Sequence, residues 1–104
     1  MEYTIKQLSD LAGITPRTLR WYDSQGLLKP GRVTEAGYRL YGPAEVDRLQ
    51  QILFYRALGV PLKEIARIVQ ADGFDRLRAL ESHLSALYAR QAQTTALIET
   101  VQKT

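Results

Sequence analysis

Two short clusters of arginine and aromatic side chains carry the chemistry of this sequence. The first follows Thr15-Pro16, in the run ITPRTLRWYDS, and contains Arg17, Thr18 and Arg20. The planar guanidinium of arginine presents a fork of donors that suits phosphate groups and the edges of nucleobases. Because these side chains would lie near the start of a helix, they are typical of a helix that reads base edges with its N-terminal part.

The second cluster is the run Tyr38-Arg39-Leu40-Tyr41, which follows a glycine. In an extended strand Arg39 and Tyr41 share one face, and Tyr38 and Leu40 share the other. We therefore expect Arg39 and Tyr41 to reach the backbone or the minor groove of a nucleic acid together, while Leu40 faces the core. Lys63 stands just inside a later helix, where backbone N–H groups also favour anions, so it is either a phosphate contact or a solvated lysine.

Three positions next to the first cluster leave alternatives open. Arg20 contacts bases, spans phosphates or pairs with Asp23. Trp21 packs on sugar and phosphate or in the core. Tyr22 is a core residue or donates a hydrogen bond to phosphate from its hydroxyl.

Several kinds of site are excluded by residue counts. The sequence has no cysteine and one histidine, His83, so thiolate metal sites, disulfides and cysteine nucleophiles are ruled out. No Ser/His/Asp set, paired-carboxylate cleft or phosphate-cradling glycine loop is present. We expect no catalytic residue, no metal and no cofactor, and hence no enzyme.

The total charge is too small to indicate a nucleic-acid partner. The position of the positive charges along the chain does favour one. The net charge is +3, and residues 1–70 hold ten basic and seven acidic side chains, whereas residues 71–104 hold four of each. At 104 residues the chain makes one small domain with an appendage. It has no apolar run long enough to span a membrane and no secretory signal, so we expect a cytoplasmic protein, which DNA binding would make nucleoid-associated.

The first part of the chain predicts a helix-turn-helix. Thr4 can cap a short helix that Gly13 ends, and Thr15-Pro16 can start a second helix that runs to about Ser24. Two short helices joined by a glycine turn form this motif.

A hairpin and two more helices follow. A glycine-containing turn between two short runs predicts the hairpin over Gly31–Tyr41. Pro43 starts a third helix and Leu62 a fourth, and the apolar positions of both recur at helical spacing. We predict a mainly α fold over residues 1–71, a winged helix-turn-helix of four helices with a short β-hairpin wing.

Residues 75–104 predict a long helix that meets a second copy of itself. Their seam positions step by three and four, the heptad signature of a coiled coil. These positions are Leu77, Leu80, Leu84, Leu87, Gln91, Thr94, Ile98 and Val101. A helix of about 28 residues is ~40 Å long, more than the preceding domain can cover, although a single helix folded back on that domain is the alternative. We therefore expect a homodimer.

The sequence resembles the DNA-binding part of MerR-family transcriptional regulators in three ordered runs, TIKQLSDLAGITPRTLRWYDSQGLLKP, AGYRLY and LGVPLKEI, before a long terminal helix. The resemblance covers essentially the whole chain. The stretches EAGYRLY, DRLQQILFYRALG and GFDRLRAL are most similar to the branch of multidrug- and thiostrepton-type activators.

The resemblance implies an antiparallel coiled-coil dimer that binds a pseudo-palindrome in double-stranded promoter DNA. Family members bend and untwist a promoter spacer that is too long, so that RNA polymerase engages both of its elements. The helix Pro16–Ser24 would enter the major groove, with Gly31–Tyr41 as first wing and Gly59–Lys63 as second. The expected DNA contacts are Thr15, Arg17, Thr18, Arg20, Trp21, Tyr22, Tyr38, Arg39, Tyr41 and Lys63.

The sequence departs from the family in two ways. It lacks the cysteines of the metal- and redox-sensing members, and nothing follows Thr104, where ligand-sensing members carry an effector domain. We therefore expect an activator without its sensor, on which a small-molecule inducer could act only through a C-terminal domain absent from this sequence.

Two other classes of function remain open. An architectural winged-helix protein of the excisionase type would bend DNA without activating transcription, but such proteins usually lack a long dimer helix. A coiled-coil adaptor would use its helix-turn-helix to bind protein.

Overall fold

The computed structural model describes residues 1–71 and 73–104, except for the side chains at positions 74 and 75. The helices are α1 (Ile5–Ala12), α2 (Pro16–Ser24), α3 (Pro43–Ala57), α4 (Leu62–Gln70) and α5 (Gly73–Lys103). The strands are β1 (Tyr3–Thr4), β2 (Arg32–Val33) and β3 (Arg39–Tyr41). The expected mainly helical fold, with its helix-turn-helix, its hairpin and its long terminal helix, is confirmed.

The chain divides into two compact units. Unit 1 is Met1–Val69 and unit 2 is Gln70–Thr104. Unit 1 contains the helix-turn-helix and the strands, and unit 2 contains α5.

Side-chain caps explain where α1 and α2 begin. Thr4 Oγ1 accepts a hydrogen bond from the N–H of Gln7 at 3.1 Å, and Gln7 Oε1 accepts one from the N–H of Thr4 at 2.9 Å. Gly13 ends α1 with a φ of 72°, which a residue without a Cβ adopts freely. Thr15 Oγ1 then accepts from the N–H of Thr18 at 3.1 Å, with proline at the first position of α2.

The hairpin is part of a three-stranded antiparallel sheet in the order β1-β3-β2. In β3, Leu40 lies opposite Arg32 of β2, while Tyr41 lies opposite Tyr3 of β1. The sequence did not predict β1, because two residues that lead straight into a helix cap are too few to show alternation. Through β1 the wing is joined to the start of α1.

The core of unit 1 is built from the helices, the segment that follows α2, and β3. Helix α3 buries Leu49, Ile52 and Tyr55. Helix α4 buries Ile65, Ile68 and Val69. Arg48 of α3 donates from Nη2 to the backbone carbonyl of Val69 at 3.2 Å, so one of the carbonyls left open at the end of α4 is satisfied.

Helix α5 is longer than expected and begins at Gly73. Its 31 residues make it about 46 Å long. None of its described side chains is buried, and Leu77, Leu84 and Ile98 are each about half exposed, at 54%, 51% and 52%. An apolar stripe therefore runs along the helix within unit 2.

We expect Thr15→Ala to destabilise unit 1 because the N–H of Thr18 loses its capping oxygen. The loss of such a cap costs about 1 kcal/mol of unfolding free energy. That corresponds to a fall in Tm of about 4 to 8 °C, measured by circular dichroism at one fixed protein concentration. Thr15→Ser keeps the oxygen and is the control, and an equal fall in both variants would contradict the capping role.

Candidate nucleic-acid interface

Helix α2 places its cationic side chains on the outside. Leu19 and Tyr22 are buried, whereas Arg17, Arg20 and Trp21 are exposed. Neither arginine forms an ion pair with another described residue. Their guanidinium groups are therefore available to an anionic or base-edge ligand, and the alternative in which Arg20 pairs with Asp23 is not what the structure shows.

Thr15 and Thr18 lie at the start of the same helix, and their hydroxyls are 3.0 Å apart. The Thr15 hydroxyl is thus engaged both in the cap and with its neighbour. Trp21 is 49% exposed and its ring lies 5.9 Å from that of Tyr22. An indole placed in this way is free to pack on a ligand.

Tyr22 is a core residue, and the structure thereby corrects the expectation that it contacts DNA. The ring is 2% exposed because it lies on the inward face of α2. Its hydroxyl accepts a hydrogen bond from Arg56 Nη1 at 3.3 Å. The two side chains line a cavity of about 270 Å³ together with Thr18, Trp21 and Val60.

The expectation for Tyr41 is wrong. The side chain is 0% exposed, and its hydroxyl is buried without a hydrogen-bond partner among the described residues. Arg39 and Tyr41 do share a face of β3, but Tyr41 is buried in the core of unit 1 and Arg39 forms an ion pair with Asp23 of α2. Leu40, expected in the core, is only half-buried. Burial raises the pKa of the Tyr41 phenol, an effect that Asp23 reinforces and the charges of Arg39 and Arg20 oppose.

Asp23 joins the hairpin to α2. Its Oδ2 accepts a hydrogen bond from Arg39 Nε at 3.0 Å, and its Oδ1 lies 3.4 Å from Lys29 Nζ. The Arg39 side chain is 37% exposed and that of Asp23 is 20% exposed. Arg39 is therefore held at the edge of the surface, and whether it contacts phosphate remains a prediction.

Tyr38 and Lys63 lie where a ligand could reach them. Tyr38 is 69% exposed and follows a turn in which its N–H donates to Thr34 Oγ1 at 3.0 Å. Lys63 is exposed at the second position of α4. Both stay predicted contacts.

Arg32 of the hairpin forms an ion pair with Glu2. Its Nε lies 2.9 Å from Glu2 Oε2. The hydrogen bond and the charge of Arg32 lower the pKa of Glu2, and the same hydrogen bond raises the pKa of Arg32. Glu2 thus neutralises one cation of the wing.

The predicted dimerisation positions all lie on α5. Leu80 and Leu87 are half-buried, Gln91 and Thr94 are exposed, and Val101 is 75% exposed. Near the C-terminal end Leu97 and Ile98 line a shallow, almost wholly apolar depression with Val101. Whether a second copy covers this stripe stays a prediction.

Sequence reasoning missed the partners of the interface residues. The sequence indicates Asp23 only as a partner of Arg20 and does not indicate Arg56. Both contacts join residues that are distant in sequence, 16 and 34 positions apart. A carboxylate inside a basic segment was the available signal for Asp23, and nothing in the local pattern pointed to Arg56.

Two other kinds of site are absent from the described ranges. No three side chains among His, Asp and Glu come together there in a group that could hold a metal ion. Likewise, none of the helices described combines the length and the apolarity needed to cross a bilayer.

Comparison with known proteins places the chain among bacterial regulators. The sequence model of the MerR HTH family of regulatory proteins matches residues 3–72, and a second model, described as MerR, DNA binding, matches residues 46–104. The HTH-type transcriptional activator mta of Bacillus subtilis is 40% identical over 104 residues. The match takes in 100% of this chain but 40% of the relative, so the chain spans about two fifths of that protein's length.

Two solved structures share the fold. The N-terminal part of the Bacillus subtilis multidrug transporter activator, MtaN, has a TM-score of 0.88 and 40% identity, over 97% of this chain and 95% of the other. HiNmlR, a MerR family regulator lacking the sensor domain and bound to promoter DNA, has a TM-score of 0.74 and 25% identity, over 98% and 86%. The three relatives mta, MtaN and HiNmlR are regulators or activators, not enzymes.

We expect the free energy of unfolding to fall above about pH 10 because of Tyr41. A phenol whose pKa is raised by folding stays neutral in the native state, while the unfolded chain ionises from ~10 upward. The contribution of Tyr41 to the free energy of unfolding is therefore fully present below pH ~10. It is lost as the pH rises toward the pKa that the phenol has in the folded state. Tyr41→Phe should flatten this alkaline decline, measured by urea unfolding between pH 8 and 11.

Tyr38→Phe is the matched control because Tyr38 is 69% exposed. Its alkaline decline should remain as in the unmodified protein. At pH 7 Tyr41→Phe should leave stability unchanged or raise it, since the hydroxyl that it removes is buried and has no partner among the described residues. A large loss of stability at pH 7 would contradict this account.

Proposed function

Because this chain belongs to the MerR family of helix-turn-helix regulatory proteins, we propose that it is a sequence-specific DNA-binding transcription regulator of the activator type. One observation carries the proposal. The capped helix α2 exposes Arg17 and Arg20, and neither forms an ion pair with another described residue. A recognition helix needs such side chains, since arginine pairs with guanine through two parallel hydrogen bonds.

In the proposed complex α2 enters the major groove and the wing contacts the backbone. Arg17 and Arg20 contact base edges or nearby phosphates, and Thr15, Thr18 and Trp21 lie beside them. Tyr38 and Arg39 contact phosphate from the hairpin, and Lys63 does so from the start of α4. The excess of positive charge in residues 1–70 supports this use of unit 1.

The proposed active form is a homodimer joined through α5. The heptad stripe on this helix is not buried within unit 2. An antiparallel pairing of two copies would bury it. Gln91 and Thr94 would fix the register at some cost in stability, as polar seam residues do. A two-fold dimer reads a pseudo-palindrome, because the symmetry of the site mirrors that of the protein.

The finer mechanism proposed is the untwisting of a promoter. The dimer would bind inside an overlong spacer and bend and untwist it, so that RNA polymerase engages both promoter elements. Two recognition helices held at a set separation can impose such a distortion, whose energy depends on the sequence deformed.

Selection of bound fragments from the source genome at fixed salt, followed by footprinting, tests this proposal. We expect a dyad-symmetric site inside a long promoter spacer, with hypersensitivity at its centre. Scattered sites without dyad symmetry would leave a DNA-binding protein but contradict the untwisting mechanism, and would favour an architectural protein. The absence of any DNA preference would contradict the proposal as a whole.

Arg17→Ala and Arg39→Ala should weaken DNA binding in different ways. Loss of a base contact weakens the cognate site and relaxes base preference, by about 1–3 kcal/mol at the contacted position. Loss of a phosphate contact weakens binding to all sequences alike. The measurement is fluorescence anisotropy with cognate and scrambled duplexes at one salt concentration.

Arg90→Ala is the charge-matched control, because it removes one positive charge from unit 2. It should change both affinities only slightly. Unchanged affinity for scrambled DNA in Arg39→Ala would show that the wing assignment is wrong.

Leu84→Asp should convert the dimer to monomer, since it places a charge in the apolar seam of the proposed coiled coil. Sedimentation velocity at micromolar concentration measures the change. Ser85→Asp introduces the same charge on an exposed neighbour off the seam and should leave the dimer intact. An unmodified chain that sediments as a monomer would contradict the proposed assembly.

A further inference from the structure

Asp23 occupies a position that its own helix does not favour. It lies in the last turn of α2, where the carbonyl end of the helix dipole is unfavourable to a negative charge. The carboxylate is only 20% exposed, yet both of its oxygens have cationic neighbours, Arg39 and Lys29. The contacts, rather than the helix, account for an acidic residue here.

The contact with Arg39 leaves the ligand-binding end of that arginine open. Arg39 donates from Nε to Asp23 Oδ2 at 3.0 Å. Neither of its two terminal nitrogens forms a hydrogen bond with another described residue. A guanidinium held by Nε therefore points a fixed pair of donors away from the carboxylate, in the geometry with which arginine binds phosphate.

We propose that Asp23 is a positioning residue for DNA binding, which orients Arg39 toward a backbone phosphate and sets the wing relative to the recognition helix. This inference rests on the proposed function. Without Asp23 the arginine side chain would sample many rotamers, and binding would have to order it. With Asp23 the donors are oriented before the ligand arrives.

The direction in which one substitution changes DNA affinity distinguishes a positioning role from a simple charge effect. Asp23→Asn removes a negative charge beside the DNA, so electrostatics alone predicts tighter binding. Positioning predicts the opposite, because a neutral amide holds the guanidinium less firmly. We expect about tenfold weaker binding of a dimer to its cognate duplex, with two such pairs lost, measured by fluorescence anisotropy at fixed salt.

A double-mutant cycle with Arg39 completes the test. In the Arg39→Ala background no arginine remains to be oriented, so Asp23→Asn should leave binding unchanged or tighten it. Lys29→Ala is the control, since it removes the other cation beside Asp23 and leaves the Asp23–Arg39 contact in place. Its effect should be the same in both backgrounds.

The outcomes distinguish this inference from the function on which it rests. Tighter binding of Asp23→Asn in the unmodified background would overturn the positioning role and leave the DNA-binding proposal standing. An unmodified protein that binds no DNA would overturn both. Where Asp23→Asn fails to fold, as judged by circular dichroism, Arg39→Lys replaces it: the charge is kept but the fork is lost, so weaker binding supports positioning and unchanged binding overturns it.

Discussion

Unit 1 depends on the burial of one face of α2. Leu19 and Tyr22 are 0% and 2% exposed, and with them buried the helical repeat determines where every other side chain of the helix points. Arg17, Arg20 and Trp21 then lie on the outside, and Asp23 lies within reach of β3. The burial of Leu19 and Tyr22 thus determines which polar side chains of α2 are exposed, because a helix of nine residues can rotate only as one body.

Most of the fold could be predicted from local signals. Caps, glycine turns and helical spacing locate α1 to α4, since each signal acts within a few residues of the boundary that it sets. Strand β1 could not be predicted, because it exists through pairing with β3, almost forty positions away. The same holds for Arg48, whose bond to the carbonyl of Val69 crosses 21 positions.

The site was less predictable than the fold, and the errors share one cause. Alternation correctly placed Arg39 and Tyr41 on one face of β3, but it does not say which face is covered. That choice depends on where the helices lie relative to β3, and the burial of Tyr41 reveals it. Tyr22 poses the same question on a helix, since an amphipathic ring with a polar end fits both core and surface until its neighbours are known.

In the proposed homodimer, the exposed apolar stripe on α5 makes the order of this helix depend on protein concentration. An isolated helix in water gains little from propensity alone, and most helical stability in proteins comes from packing of an apolar face. Helix α5 has 31 residues and buries none of its described side chains, so its order is linked to whatever covers the stripe. Unit 1 contains its own core and is not subject to this linkage in the same way. Dilution should therefore act on the two units unequally, with the terminal helix losing order while the helix-turn-helix remains folded.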